Sequence, residues 1–210
     1  KGNLNKPGFI SCLKSMISEL LQYGITDEML KEMVPQAGSD VLSHKLKDLT
    51  VLYQGFKEGK ENCFITAEEI LSVLCDCLEK SEIIKNSVVT LDGYTGFTPV
   101  QYRLLELMIR YCKKVVVTVT VDPSDHPYQR TDYQDLFYMS KLIVSKLDRI
   151  AEKNGVYRDA DVRLERHPYV RFGDRKELDF LEQNIFRYGA APYDGEWKDG
   201  EDSPLSLYQA

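Results

Sequence analysis

Two stretches decide the fold. They are Ser87-Val-Val-Thr-Leu-Asp92-Gly93-Tyr94-Thr95-Gly96-Phe97-Thr98-Pro99-Val100-Gln101 and, after a helical run to Cys112, Lys114-Val-Val-Val-Thr-Val-Thr-Val-Asp122-Pro123. Ser87 to Leu91 has the β-branched, apolar character of a strand buried on both faces, and Lys114 to Val121 has it more strongly. Between them Thr98 offers a hydroxyl N-cap, Pro99 presets the first helical φ, and Gln101 stands where a capping box needs it. A crossover helix returns its second strand parallel to the first, so residues 87 to 121 predict a βαβ unit on a parallel sheet.

Downstream of this unit, Ser124 to Asp132 reads as a polar loop, and Tyr133 to Lys153 as a long helix closed by Asn154-Gly155. A weaker strand at Val162 to Leu164 and a helix from Lys176 to Phe186 follow. From Gly189 onward, Pro192, Gly195, Gly200 and Pro204 predict an irregular tail or linker. Upstream the pattern is helical throughout. Phe9, Cys12, Leu13, Met16, Ile17, Leu20 and Leu21 form an i, i+3, i+4 stripe that stops at Tyr23-Gly24. Thr26 opens a second helix, Val41 to Phe56 forms a third, and Thr66 with Glu69 caps a fourth through Ile70, Leu71, Leu74 and Leu78. The expected organisation is an all-helical unit over 1–81, an α/β segment over 82–188 and a tail over 189–210.

With 210 residues, 43% of them hydrophobic, the chain can bury a sizeable core, which excludes a disordered or fibrous class. Its net charge of -6 has the wrong sign for binding nucleic acid through the overall field, so such a role needs local basic patches or a larger assembly. No apolar run approaches the roughly 18–20 residues of a membrane span, and Lys-Gly-Asn-Leu-Asn at the start is no signal peptide, so a soluble, cytoplasmic chain is expected. The missing initial Met suggests a piece of something longer. Cys12, Cys63, Cys75, Cys77 and Cys112, mostly within helical patterns, are expected as reduced thiols, with Cys75 and Cys77 read as core thiols. The Cys75-x-Cys77 pair points in two directions on a helix and makes a poor metal clamp. No metal site is expected, and His44, His126 and His167 read as surface or loop residues.

In open parallel sheets the working groups lie beyond the carboxyl ends of the strands, which here means Asp92 and Asp122. An acid leaving a buried strand, followed by a second acid, is how nucleotide hydrolases hold magnesium and position water. Here the second acid is absent, because Gly93 follows Asp92 directly. Asp92 reads either as a residual metal-holding carboxylate or as a cap for the turn before Thr98. Basic residues cluster at Lys113-Lys114 and at Arg163, Arg166, Arg171, Arg175 and Lys176, with Tyr169 and Phe172 interleaved. That composition suits phosphate contact with base stacking, and equally an ordinary solvated face.

Asp92-Gly-Tyr-Thr-Gly-Phe-Thr-Pro-Val-Gln101 resembles the second motif of UvrD-like superfamily 1 helicases, and the strand ending in Asp122-Pro123 resembles their third motif. Taken with the Lys6-Pro-Gly-Phe helix start and the Asn184-Ile-Phe186 segment, the chain is similar to the B subunits of bacterial AddAB/RexAB ATP-dependent helicase/deoxyribonucleases. The resemblance covers most of the chain. It implies a partial RecA-like helicase core with the first eighty residues as an all-helical insertion domain. It further implies an A-subunit partner, DNA as ligand, Chi scanning, and a role in double-strand-break repair and recombination.

The departures from the pattern bear on mechanism. Active relatives carry Glu where Gly93 stands; losing such a base typically costs about 10²- to 10⁴-fold in rate. Val121 precedes Asp122 where the third motif has Gly, and no phosphate-binding loop of the Gly-Lys-Ser/Thr type occurs in the 210 residues. Asp92, Gly93 and Asp122 are therefore expected to be degenerate positions, with no catalytic residue and no cofactor in this segment. The resemblance places ATP, magnesium and an iron-sulfur cluster elsewhere in the parent protein. An active superfamily 1 motor fragment and an unrelated doubly wound ligand-binding domain are the competing readings.

Overall fold

Helix α1 (Pro7–Tyr23) begins where Pro7 presets the helical φ and ends where Gly24 turns left-handed at φ 67°. The N–H of Ile25 then reaches back to the carbonyl of Leu20 at 2.8 Å, closing the helix end. Thr26 caps α2 (Asp27–Met33), its hydroxyl accepting the Met29 N–H at 3.3 Å. A 3₁₀ turn (Val34–Gln36) leads into α3 (Asp40–Lys60). The expected Thr66–Glu69 capping box is present, but it opens a 3₁₀ turn (Ala67–Glu69) that feeds α4 (Ile70–Leu78). A short helix α5 (Glu82–Lys85) follows, capped by Ser81. The computed structural model describes residues 6–60, 65–122, 126–129, 132–164, 171–173, 175–187, 189–196 and 205.

Strand β1 (Val88–Leu91) pairs in parallel with β2 (Lys114–Val117), with Val88 opposite Lys114 and Leu91 opposite Val117, and α6 (Pro99–Tyr111) crosses between them. The βαβ unit stands as the sequence predicts. Both strands are shorter than expected, and the reason is pairing. Asp92 and Gly93 turn β1 away, so beyond the bond from the Thr118 N–H to the Leu91 carbonyl at 2.9 Å the chain at 119–121 has no described partner. Among the described residues these are the only strands and neither outer edge of the sheet has a partner strand, and none of the sheet's residues is fully buried.

Helices α7 (Tyr138–Lys153) and α8 (Lys176–Asn184) complete the element order. The structure is mainly helical with a small parallel sheet, an arrangement compatible with the α/β class. Four expectations are corrected. Helix α7 starts at Tyr138, not Tyr133, because the Asp132 and Asp135 carboxylates take backbone N–H groups of 133 and 132 and hold the segment in turns. Residues 162–164 form no strand: Val162 and Leu164 are almost fully exposed, and a strand exists only through a partner. Helix α8 ends at Asn184, and Phe186 adopts φ 62°. Of the thiols only Cys75 is in a core; Cys12 and Cys77 are exposed, Cys112 is half-buried, and Cys63 lies outside the described residues.

Two cores hold the chain. Ile17, Leu30 and Tyr53 join α1, α2 and α3, and the Tyr53 hydroxyl donates to the Ile25 carbonyl at 3.1 Å. Cys75 and Leu78 of α4 pack against Leu104 of α6, with Leu71, Leu74, Ile84, Leu107, Met108 and Tyr111 around them. Leu78 is wholly buried, and burying one such side chain contributes about 1.5–3 kcal/mol. The second core joins helices from both sides of residue 81. Around the first, Asp27 accepts from Lys57 at 2.6 Å and from Gln54 at 3.2 Å, with Lys31 at 3.6 Å. The Lys57 bond, then the Gln54 bond, hold the Asp27 carboxyl well below its ordinary value, and the same pairing raises the Lys57 ammonium.

Two expectations follow. Thr98 accepts the Gln101 N–H at 3.4 Å and Gln101 accepts the Thr98 N–H at 2.7 Å, so Thr98→Ala should cost about 1 kcal/mol in denaturant unfolding. A depressed carboxyl stabilises the fold above its unfolded value and loses that contribution as pH falls through the folded one, which places the Asp27 window at acid pH. Lys57→Ala should move the Asp27 carboxyl midpoint, read by NMR titration, up toward about 3.9. An unmoved midpoint would assign the depression to other groups.

Candidate functional site

Beyond the strand ends, both candidate carboxylates are engaged from within the chain. Thr118, just past β2, donates its hydroxyl to Asp92, so the acid at the end of β1 ties the two strand exits together. Gly93 then adopts φ 75°, a conformation side chains rarely take, although a Cβ there would meet nothing within 4 Å. The backbone, not the surrounding space, disfavours a larger residue at 93. Asp122 is buried and ion-paired to the Arg187 guanidinium, which clamps the chain after α8 onto the end of the second motif-bearing segment. Asp92 thus bonds across to Thr118 and not to a backbone N–H of the turn before Thr98, and with Gly93 beside it no second acid completes a carboxylate pair for a metal-bound triphosphate. The residues present do not fit that group.

Among the described residues no group of three or more His, Cys, Asp or Glu is placed to hold a metal ion. His44 is exposed, its Nδ1 2.7 Å from the Asp40 carbonyl, and His126 lies edge-on to Tyr128; His167 lies outside the described residues. The Tyr128 hydroxyl donates to Asp161, and Arg158 covers the Tyr128 ring at 4.6 Å while pairing with Asp148 at 3.4 Å. With the Lys114–Asp159 pair at 2.6 Å, this polar cluster fastens residues 158–161 to the start of β2 and to the loop after it.

The predicted basic cluster is only partly assembled. Arg175 and Lys176 are exposed at the start of α8, and Arg171 lies over the Phe172 ring at 5.5 Å. Buried Glu177 and Asp179 follow in the same turn and offset the cations locally. Arg163 is exposed in the irregular stretch after α7, with no described contact to the others, and Arg166 and Tyr169 lie outside the described residues.

A different cluster is better formed. Tyr94 stacks on Phe97 at 5.1 Å between ring centroids, Phe97 meets Tyr102 edge-on at 5.4 Å, and the Lys146 ammonium sits 4.6 Å from the Tyr102 ring centre. These rings adjoin a groove of about 450 Å³ between α6 and α7, walled by Phe97, Tyr102, Arg103, Glu106, Lys146 and Arg149. Glu106 is ionised below its ordinary range by the Lys153 bond at 2.8 Å and the Asn154 bond at 3.2 Å, and Arg103 pairs with Asp76 at 2.9 Å. Lys146 and Arg149 have no carboxylate partner among the described residues. Tyr94 and Phe97 belong to the helicase-like motif, but the groove itself is not foreseen from sequence. The one signal for it is the i, i+3 spacing of Lys146 and Arg149 on the polar side of α7.

The sequence profile of the family described as "ADDB, N-terminal" matches residues 1–182. The chain belongs to this family. A protein of Lachnoclostridium phytofermentans, named as the B subunit of an ATP-dependent helicase/deoxyribonuclease, is 39% identical over 208 residues, which is 97% of this chain and 18% of that protein. Proteins of the same name from Thermoanaerobacter sp. and Clostridium kluyveri are 34% and 32% identical, covering 97% and 100% of this chain and 17% and 18% of theirs. The chain therefore spans less than a fifth of the length of these curated relatives. The ADDB family membership agrees with the motif resemblance carried by Asp92 to Gln101, and no described helix is long and apolar enough to cross a membrane.

The left-handed backbone at Gly93 sets a specific expectation for substitution there. Gly93→Glu and Gly93→Ala should each cost about 1–2 kcal/mol in denaturant unfolding, alike despite their different side chains. A neutral Gly93→Glu would mean that this turn relaxes freely.

Proposed function

We propose that this chain is a non-catalytic, helicase-like segment of an ATP-dependent helicase/deoxyribonuclease that works in double-strand-break repair and recombination. Its contribution is DNA binding, Chi scanning and scaffolding against the A subunit in the cytoplasm. In this reading residues 82–188 are a partial RecA-like core and residues 1–81 an insertion domain. ATP, magnesium and an iron-sulfur cluster belong to other parts of the assembly. One observation carries the reading: Gly93, in a left-handed turn, stands where the water-orienting base would follow Asp92, and the second strand-end acid, Asp122, is buried in an ion pair with Arg187. General-base catalysis of this type needs an acid beside the metal-holding one to take a proton from the reacting water, and Gly93 offers none.

The test is hydrolysis by the purified protein. ATP turnover and nuclease activity should stay at the buffer background, with and without single-stranded DNA. Phosphate release well above that background, abolished by Asp92→Ala, would overturn the reading in favour of an active motor.

A further inference from the structure

Resting on that reading, we propose that the groove between α6 and α7 is a single-stranded DNA site, in which bases stack on the Tyr94–Phe97–Tyr102 aromatics while Lys146 and Arg149 hold phosphates. Three observations converge on this surface. The first is geometric: three aromatic rings stand in continuous contact, with centroids 5.1 and 5.4 Å apart, beside a shallow, open groove between α6 and α7 of the kind a strand can lie along. Tyr94 is 46% exposed, so the end of this aromatic row is open to a visiting base.

The second is electrostatic. The chain as a whole carries a net charge of -6, yet this groove is lined by Arg103, Lys146 and Arg149 against the single acid Glu106. Glu106 is neutralised by Lys153 and Arg103 by Asp76, which leaves the charges of Lys146 and Arg149 unanswered by any described carboxylate. A polyanion repelled by most of the surface is therefore attracted here, and two cations contribute a short-range, salt-sensitive hold. The third is chemical. Cations near an exposed ring, here Tyr94 backed by the half-buried Phe97 and Tyr102, suit a strand whose bases are free, because every base has a π-face to stack and every linkage a phosphate to pair; an acidic protein segment would use the cations and leave the ring idle.

The groove makes two predictions of different kind. Lys146→Gln with Arg149→Gln, neither of them a core position, should weaken binding of a 20-nucleotide oligo(dT) by the purified protein and flatten the plot of log affinity against log salt by about 1.4 units, at about 0.7 per phosphate contact on a single strand. Tyr94→Ala should weaken the same binding about 5- to 150-fold at fixed salt and leave the slope unchanged, as loss of one stacking contact requires. Measured by fluorescence anisotropy, a protein that binds oligo(dT) with the same affinity and slope in all variants overturns the groove assignment and leaves the DNA-binding reading intact. A protein that binds no oligo(dT) even at low salt overturns both. Loss of slope in the double variant with no effect of Tyr94→Ala, and equal displacement by poly-glutamate, would reassign the groove to an acidic protein partner and also overturn the proposal.

Discussion

The α4–α6 contact is the constraint on which the rest of this structure depends. A two-stranded parallel sheet cannot bury its own faces, and here none of its residues is fully buried, so β1 and β2 depend on α6 packed beside them as well as on their own pairing. Leu78, wholly buried, and Cys75 fix α4 against Leu104, and the Arg103–Asp76 pair adds a polar stitch at the edge of the same contact. Apolar burial supplies most of this hold, since an exposed pair contributes at most about 1 kcal/mol. The helical region is thereby part of what positions the strand ends.

The same dependence explains how the acids at those ends are used. In a wide sheet a carboxylate leaving a central strand faces a crevice between loops and is available for a metal or a water. Here the exits of two short strands need cross-ties, and the polar side chains nearest them supply those ties: Thr118 to Asp92, and Arg187 to Asp122. The strand, its terminal acid and the capped helix behind it organise the backbone here, with Gly93 supplying the left-handed turn between them.

How legible this was depended on the reach of each determinant. The βαβ unit, the Thr98–Gln101 box, the Gly24 stop and the Thr26 cap were readable because each is set by residues within a few positions of one another or by a plain hydrophobic run. The start of α7 was not, because Asp132 and Asp135 compete for backbone N–H groups in a way that apolar periodicity does not register. The Arg187–Asp122 clamp joins residues far apart in the chain, as does the placement of Lys146 over Tyr102, and a single sequence carries no signal for either contact. The basic run from Arg163 to Lys176 was conspicuous in composition, but composition cannot show that Glu177 and Asp179 fold in beside its last members.

The edges of the β1–β2 sheet, without a partner strand among the described residues, carry a consequence of their own. Val88 is 61% exposed at one margin, and beyond Thr118 the β2 run continues into Val119-Thr-Val121 with no backbone partner among the described residues. An unprotected row of backbone donors and acceptors on β-branched, uncharged sequence is a template onto which another strand can add. Lys114 is the one charge on that strand, and it is drawn aside into its pair with Asp159. Among the described residues, that margin is therefore where the backbone has the most unpaired donors and acceptors to offer an added strand.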